Sequence, residues 1–339
     1  MKPVTIGIVN YNGMVCVPET LSALQQLNYP NFEVIVADNC STDGSREWIQ
    51  EHHPEVKCLC LESNRGLPGA RQALLEICQN EYILFLDNDI VVESDALTYL
   101  MQVMEKVPNA GACHPDILDS QNPLFHHYNG GWIHYLCAYI DRSIPDQERE
   151  EYEIFDVISA GALLVKRETA LKIGGFDSDY FFNWEDGDFS ARLTLAGYLC
   201  LNVPQAIVHH KSKPRGTSKA FYMVRNRWYF IIKLYNWRTI ILALPMLIIF
   251  EFSQALLLIV KGNFKDYIRG NVAVFQNLPM LLEKRKAFQK LKIKSDREWL
   301  RSGELYIPET LVKGSLYTLL KQIYNGFFGI YWQIIKPFC

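Results

Sequence analysis

Up to about residue 115 the chain alternates short β-branched runs with segments of helical spacing, and this rhythm constrains the fold more than any other feature. The strand-like runs are Val4–Val9, Phe32–Ala37, Val56–Leu61, Tyr82–Leu86 and Ala110–Cys113. Between them lie Val17–Leu27, Ser45–His52, Ala70–Gln79 and Ala96–Val107, whose apolar residues recur at helical intervals. A βαβα order predicts an α/β fold with a mostly parallel sheet covered by helices on both faces. Ligands of such sheets lodge beyond the carboxyl ends of the strands.

Those ends are polar. The first strand runs into Asn10-Tyr11-Asn12-Gly13, and the second into Asp38-Asn39-Cys40-Ser41-Thr42-Asp43-Gly44-Ser45. Asn64-Arg65-Gly66 follows the third and Asp87-Asn88-Asp89 the fourth. Any one of them serves equally as a turn or a helix cap, because Asn, Asp, Ser and Gly supply both. Four on one sheet edge outline a polar cleft. Asp87 and Asp89, two apart after an apolar strand, suit a turn or a hard divalent ion held by carboxylates together with substrate phosphates. A second cluster runs from Gly174-Gly175-Phe176-Asp177 through Phe181-Phe182-Asn183-Trp184-Glu185-Asp186-Gly187-Asp188 to Arg192. Three acids within four residues fit either a helix N-terminus, where the dipole favours negative charge, or a general base beside an aromatic wall.

In this order and spacing the pieces resemble the family 2 glycosyltransferases, most closely their rhamnosyltransferase-like bacterial members, over roughly residues 4–235. The resemblance implies a GT-A fold (nucleotide-diphospho-sugar transferase, Rossmann-like), with a nucleotide-sugar half at about 1–115 and an acceptor half at about 116–215. It implies that Asp38 accepts the imide N–H of a pyrimidine, so UDP- or dTDP-linked donors are expected before GDP-linked ones. Asn10 and Arg65 would contact the base and nearby nucleotide groups, Asp87 would lie near the ribose, and Asn39 and Asn88 would belong to the same nucleotide-binding set. Asp89 would hold Mg²⁺ or Mn²⁺ on the diphosphate. His209 matches a position that contacts metal or diphosphate, with His210 adjoining it. Asp186 would deprotonate the acceptor hydroxyl and Glu185 orient the acceptor or the base. One base and in-line displacement imply inversion; Asp188 as a covalent nucleophile would imply the opposite. The run Leu67-Pro68-Gly69-Ala70-Arg71-Gln72 departs from the Gly/Asn-rich loop of many relatives.

The net charge of −3 conceals an asymmetry. Residues 1–210 carry 12 Lys/Arg against 30 Asp/Glu, whereas residues 211–339 carry 22 against 7, which places a boundary near 210–215. From Lys211 to Arg238 there are eight basic residues and no acids, interleaved with aromatics, yet no nucleic-acid motif. Ile240–Phe250 is an unbroken apolar run containing Pro245, and Glu251-Phe252-Ser253-Gln254 interrupts it before Ala255–Val260. A span needs ~20 apolar residues, and an acid near its centre costs about 2.5–3.5 kcal/mol. An interfacial or re-entrant segment on an anionic membrane is therefore favoured over a simple span, the rival being a core helix of a soluble domain. Leu316–Phe338 reads as a second membrane-contacting element. Nine cysteines without a CxxC pair argue against zinc knuckles and a secreted disulfide framework, and Met1-Lys2-Pro3 leads straight into a strand rather than a signal sequence.

The expectation is a metal-dependent inverting transferase at the cytoplasmic face of the membrane, moving a sugar from a nucleoside diphosphate to a hydroxyl of a saccharide or lipid-linked saccharide. A catalytic domain over 1–215 would precede a basic, aromatic-rich helical region over 216–339. The rivals are a nucleotidyltransferase, which has no need of Glu185-Asp186, and a non-catalytic membrane-bound sugar-nucleotide-binding subunit.

Overall fold

The computed structural model describes residues 1–122, 130–141, 150–211, 219–305 and 315–339. Lys213 and Arg215 of the basic stretch, the junction at 215/216, and the side chains of Leu316–Leu320 lie outside the described residues. In chain order the elements are β1 (Val4–Asn10), α1 (Val17–Leu24), β2 (Phe32–Asp38), α2 (Ser45–His52), β3 (Lys57–Cys60), α3 (Gly66–Ile77), β4 (Tyr82–Asp87), β5 (Ile90–Val92), α4 (Ala96–Lys106) and β6 (Ala110–Asp119). Then come β7 (Gly131–His134), β8 (Ala138–Asp141), β9 (Glu153–Phe155), β10 (Ala162–Lys166), α5 (Arg167–Lys172), α6 (Glu185–Leu195) and β11 (Leu199–His210). Beyond them are α7 (Ala220–Leu234), α8 (Trp237–Val260), α9 (Phe264–Gln276), α10 (Leu278–Phe288), α11 (Asp296–Trp299), β12 (Leu300–Arg301) and α12 (Ser315–Ile335).

The chain divides into two compact units, one of Met1–Gly130 and Ser143–Arg215, the other of Gly131–Arg142 and Gly216–Cys339. The single cut expected from sequence is thus joined by an excursion: the β7–β8 hairpin belongs with the second unit, where β12 pairs parallel to β7. In the first unit the order is β3-β2-β1-β4-β10-β6-β11-β5, with β9 on β11. Strands β1, β2, β3 and β4 are mutually parallel and β11 is parallel to β6, while β10, β5 and β9 run against their neighbours. The sheet is therefore mostly parallel. β1 is buried along its whole length, as a parallel strand covered on both sides must be. Val4, Ile6 and Ile8 face a layer built with Leu21, Leu97 and Met101, and Val9 faces Ala70, Leu74 and Phe189. Register pairs Asn10 with Asp38 and Val9 with Asp87, so the polar ends of three strands finish level.

The second unit packs around Tyr135, Tyr235, Phe328, Trp299 and Trp332, all nearly inaccessible. Its α8 is one 24-residue helix that continues through Pro245, with a mean hydropathy of 2.1 in its most apolar window. Only 22% of that window is buried, which argues against a core helix. Glu251 does not interrupt α8. Its carboxylate is paired with the Arg227 guanidinium and accepts from the Tyr267 hydroxyl at 3.2 Å. Arg227 also donates to the carbonyls of Leu136 and Cys137, so the acid sits within a buried polar network rather than on an outer face.

Candidate active site

The site is assembled where β1, β2 and β4 end. Asn10, fully buried, donates from Nδ2 to Asp38 Oδ1 at 3.0 Å and Ser45 Oγ at 2.9 Å, and its Oδ1 accepts from Asn88 Nδ2 at 2.9 Å. A Cβ on Gly13 would collide with Asn88 Nδ2 and Asn10 Oδ1, so only glycine lets the β1 loop close over this pair. Asp38 is also inaccessible, its second oxygen accepting the Ser41 N–H at 3.1 Å. Asn39 accepts from Arg65 N at 2.8 Å and donates to Asn64 Oδ1 and Gly66 O, tying the end of β2 to the start of α3. Arg65 is exposed at that helix start. Asn10, Asp38, Asn39 and Asn88 therefore form the packed floor of the cleft.

The chain regions that sequence left separate converge on Arg71. This residue sits on α3, almost wholly buried, and donates from Nη2 to Asp87 Oδ1 and from Nη1 to Asp186 Oδ1, each at 2.8 Å. Burial would drive its proton off, but the Asp87 and Asp186 carboxylates more than reverse that and hold the guanidinium firmly charged. The Asp186 side chain keeps 31% exposure, and its other oxygen accepts the Ala160 N–H at 3.1 Å. Glu185 differs sharply from its neighbour: it is 6% exposed and its Oε2 has no hydrogen-bond partner among the described residues. Burial foremost, with the Asp186 charge adding and Arg71 opposing, pushes its carboxyl up to about 8. Asp188 is inaccessible, accepting from Tyr180 Oη at 3.0 Å and Arg192 Nε at 2.8 Å. Arg192 in turn donates to the carbonyls of Ile173 and Gly175, so Asp188 and Arg192 brace the Gly174-Gly175 turn.

The backbone ahead of Glu185 is strained. Phe181, Asn183 and Trp184 all have φ between 60° and 70°, a region costly for side chains with a Cβ. Gly66 meets the same segment: its φ is +70°, and a Cβ there would collide with the Phe181 carbonyl. Leu67 N donates to that carbonyl at 3.0 Å, which anchors the strained turn to α3. The departing run at Leu67–Gln72 is thus the opening of α3, and Gln72 adds a hydrogen bond from Phe176 N at 2.8 Å.

Of the two histidines, His210 lies beside Asp89, with Nε2 3.4 Å from Oδ2. His209, the residue assigned to the metal from sequence, instead meets Glu93 at 2.9 Å. Strand alternation turns adjacent residues to opposite faces, and register sets His210 against Ile90. Lys211 N donates to Asp89 O at 2.9 Å, which fixes this approach. An aspartate oxygen and an imidazole nitrogen at this separation suit two neighbouring ligands of one hard ion whose remaining ligands come from phosphate and water. Among the described residues no group of three or more His, Cys, Asp or Glu is arranged to hold a metal by side chains alone.

Arg71 is the residue of this site to which the sequence assigned no role, while His209 and His210 were left as alternatives for the metal or diphosphate contact. A signal for Arg71 exists: an arginine stands among Leu67, Ala70, Leu74 and Leu75 on the buried side of a helix.

Residues 5–167 match the family described as glycosyl transferase family 2. The N-acetylglucosaminyl-diphospho-decaprenol L-rhamnosyltransferase of Mycobacterium tuberculosis is 28% identical over 215 residues, covering 56% of this chain and 70% of that protein. The fold is shared with GalNAc-T7, solved with UDP, GalNAc and Mn²⁺, at a TM-score of 0.59, 16% identity, 70% coverage of this chain and 49% of that one. It is also shared with a mannosyltransferase from Pyrobaculum calidifontis in complex with GDP-Man and Mn²⁺, at a TM-score of 0.51, 17% identity, and coverage of 99% of this chain and 87% of that one.

Proposed function

We propose that this family 2 glycosyltransferase carries out a metal-dependent, inverting transfer of a sugar from a nucleoside diphosphate to a hydroxyl of a saccharide or lipid-linked saccharide in cell-surface glycan synthesis. The observation that carries it is the convergence of Asp87, from a strand end on the nucleotide side, and Asp186, from the acceptor side, on the single guanidinium of Arg71.

Asp186 is the accessible carboxylate of its cluster and takes the acceptor hydroxyl proton. The acceptor oxygen then forms its bond to the anomeric carbon as the sugar–phosphate bond breaks, with the electron pair leaving on the diphosphate. Asp188, locked to Tyr180 and Arg192, is unsuited to serve as a second nucleophile, which supports inversion. Asp89 and His210 would hold Mg²⁺ or Mn²⁺. That ion supplies charge neutralisation for the departing diphosphate. The buried Asn10–Asp38–Asn39 floor and Arg65 at its rim form the nucleotide side, with a pyrimidine preference proposed through Asp38.

The second unit is proposed to meet an anionic membrane from the cytoplasmic side. Support comes from the basic composition, from the length of α8, and from exposed Ile241, Ile248, Phe252, Phe275, Phe327 and Ile330. The pairing of Glu251 with Arg227 removes the objection that an acid halts the apolar helix.

A thermal-shift screen of UDP-, dTDP- and GDP-sugars with and without Mn²⁺ tests the donor side. Stabilisation by pyrimidine nucleotides that EDTA abolishes is expected; equal response to all three nucleotides, or none to the metal, defeats that part of the reading.

A further inference from the structure

Arg71 is buried in the cleft, and its two terminal nitrogens are divided between carboxylates from different parts of the fold, Asp87 on β4 and Asp186 on α6. A guanidinium offers planar, directional donors, so it fixes orientation as well as charge. The Ala160 N–H holds the other Asp186 oxygen from a third direction. Beside this fully held carboxylate stands Glu185, buried, with an oxygen that has no partner among the described residues.

We infer that Arg71 is a positioning residue for the base: spanning Asp87 and Asp186, it aims the Asp186 carboxylate into the cleft, while Glu185 stays buried beside it. The inference rests on the proposed role of Asp186, and adds to it a division of labour between two adjacent acids. The groups that face Asp186 are Arg71 from α3, Asp87 from β4, Glu185 beside it on α6, and the Ala160 N–H ahead of β10. Arg71 is the positive member of this set. Without it three carboxyl groups would crowd a half-closed site, and Asp186 and Glu185 would compete for protons. The direction found for Glu185 agrees: burial and Asp186 raise it and Arg71 opposes them.

The test is a carboxyl ¹³C NMR titration of the full-length protein labelled at aspartate and glutamate, without any ligand. The Asp186 and Glu185 signals are identified by their loss in Asp186→Asn and Glu185→Gln. In Arg71→Met the midpoint of the Asp186 signal is expected to rise by roughly 1–3 pH units, the effect of losing an adjacent opposite charge. Should Arg71→Met fail to fold, the double variant Arg71→Met/Asp87→Asn removes one charge of each sign and should show a smaller upward movement, because loss of the nearby Asp87 charge offsets part of the loss of Arg71. An Asp186 midpoint unchanged in a folded variant overturns the inference. The parent reading is judged separately by transfer in Asp186→Asn. Loss of transfer with an unchanged midpoint sinks only the Arg71 role, whereas retained transfer with a raised midpoint sinks only the base assignment.

Discussion

In the first unit Val4, Ile6 and Leu86 are buried in the core, while Asp186, Asp87 and Arg65 lie at or near the surface of a cleft. In the second, Arg227, Lys292 and Asp296 are buried, while Ile241, Phe252, Phe275 and Ile330 stand exposed. Lys292 is paired with Asp296, as Arg227 is with Glu251. Buried paired charges occur in both units, as Arg71 with Asp87 and Arg192 with Asp188 show in the first, so what sets the second apart is its run of exposed apolar side chains. Paired charges inside and apolar side chains outside are what a surface of low polarity tolerates, because ions are costly there unless paired.

The largest effect expected concerns the first unit. Asp186→Asn should reduce transfer by about 10²–10⁴-fold, the usual contribution of a positioned base, while UDP affinity by calorimetry stays within a few-fold. Near-normal turnover would remove the base from the cleft. For the second unit, Arg227→Ala strands Glu251 and should cost about 3–5 kcal/mol in a detergent-solubilised unfolding assay. An unchanged melting temperature would mean that the pair is not what admits an acid to α8.

Metal dependence separates the adjacent histidines. His210→Ala should lose the Mn²⁺-dependent part of UDP binding and His209→Ala should keep it, because only His210 approaches Asp89. The opposite pattern would restore the assignment made from sequence. On phosphatidylglycerol vesicles, the full chain should co-sediment at low salt and be partly released at high salt, at about 1 kcal/mol per basic residue near the surface. A chain that ignores these vesicles would leave the exposed apolar faces of the second unit to another use. The smallest effect concerns pH. Glu185 is raised above its unfolded value of 4.5 to about 8, so the folded state holds the extra proton and this contribution is fully present below about 4.5 and fades as pH rises through 8. Glu185→Gln should therefore show a shallower loss of stability than wild type between those limits in urea titrations.

The strands and their polar ends were legible because β-branched runs broken by Asn, Asp and Gly signal a parallel sheet directly. The start of α3 was not: it lies at Gly66 rather than Ala70, because Gly66 adopts a positive φ and Pro68 fits within a first helical turn. Counting along β11 could not decide between His209 and His210, because the pairing register with β6 shifts between Val203 and Ile207. The Arg71–Asp186 contact spans 115 residues, and no local pattern announces a partner at that distance. Glu251 read as an interruption for the same reason: its counter-ion is 24 residues earlier, on another helix. Local chemistry was visible in the residues; the pairings that give it direction depend on the closed fold.

That 115-residue span has a consequence during synthesis. At about 5–20 residues per second, Arg71 and its near partner Asp87 leave the ribosome roughly 6–23 s before Asp186 follows. Over that interval the guanidinium has one of its two carboxylates, and the β1–β4 sheet can form while the acceptor side is still unmade. The later closure adds little entropic cost, since loop entropy grows only with the logarithm of length. Chains arrested ahead of β10 should therefore hold a folded nucleotide-side sheet with an open edge next to β4, the place that β10 later fills. An unpaired strand edge of that kind is a natural point of capture for chaperones, and it closes at nearly the moment the base reaches Arg71.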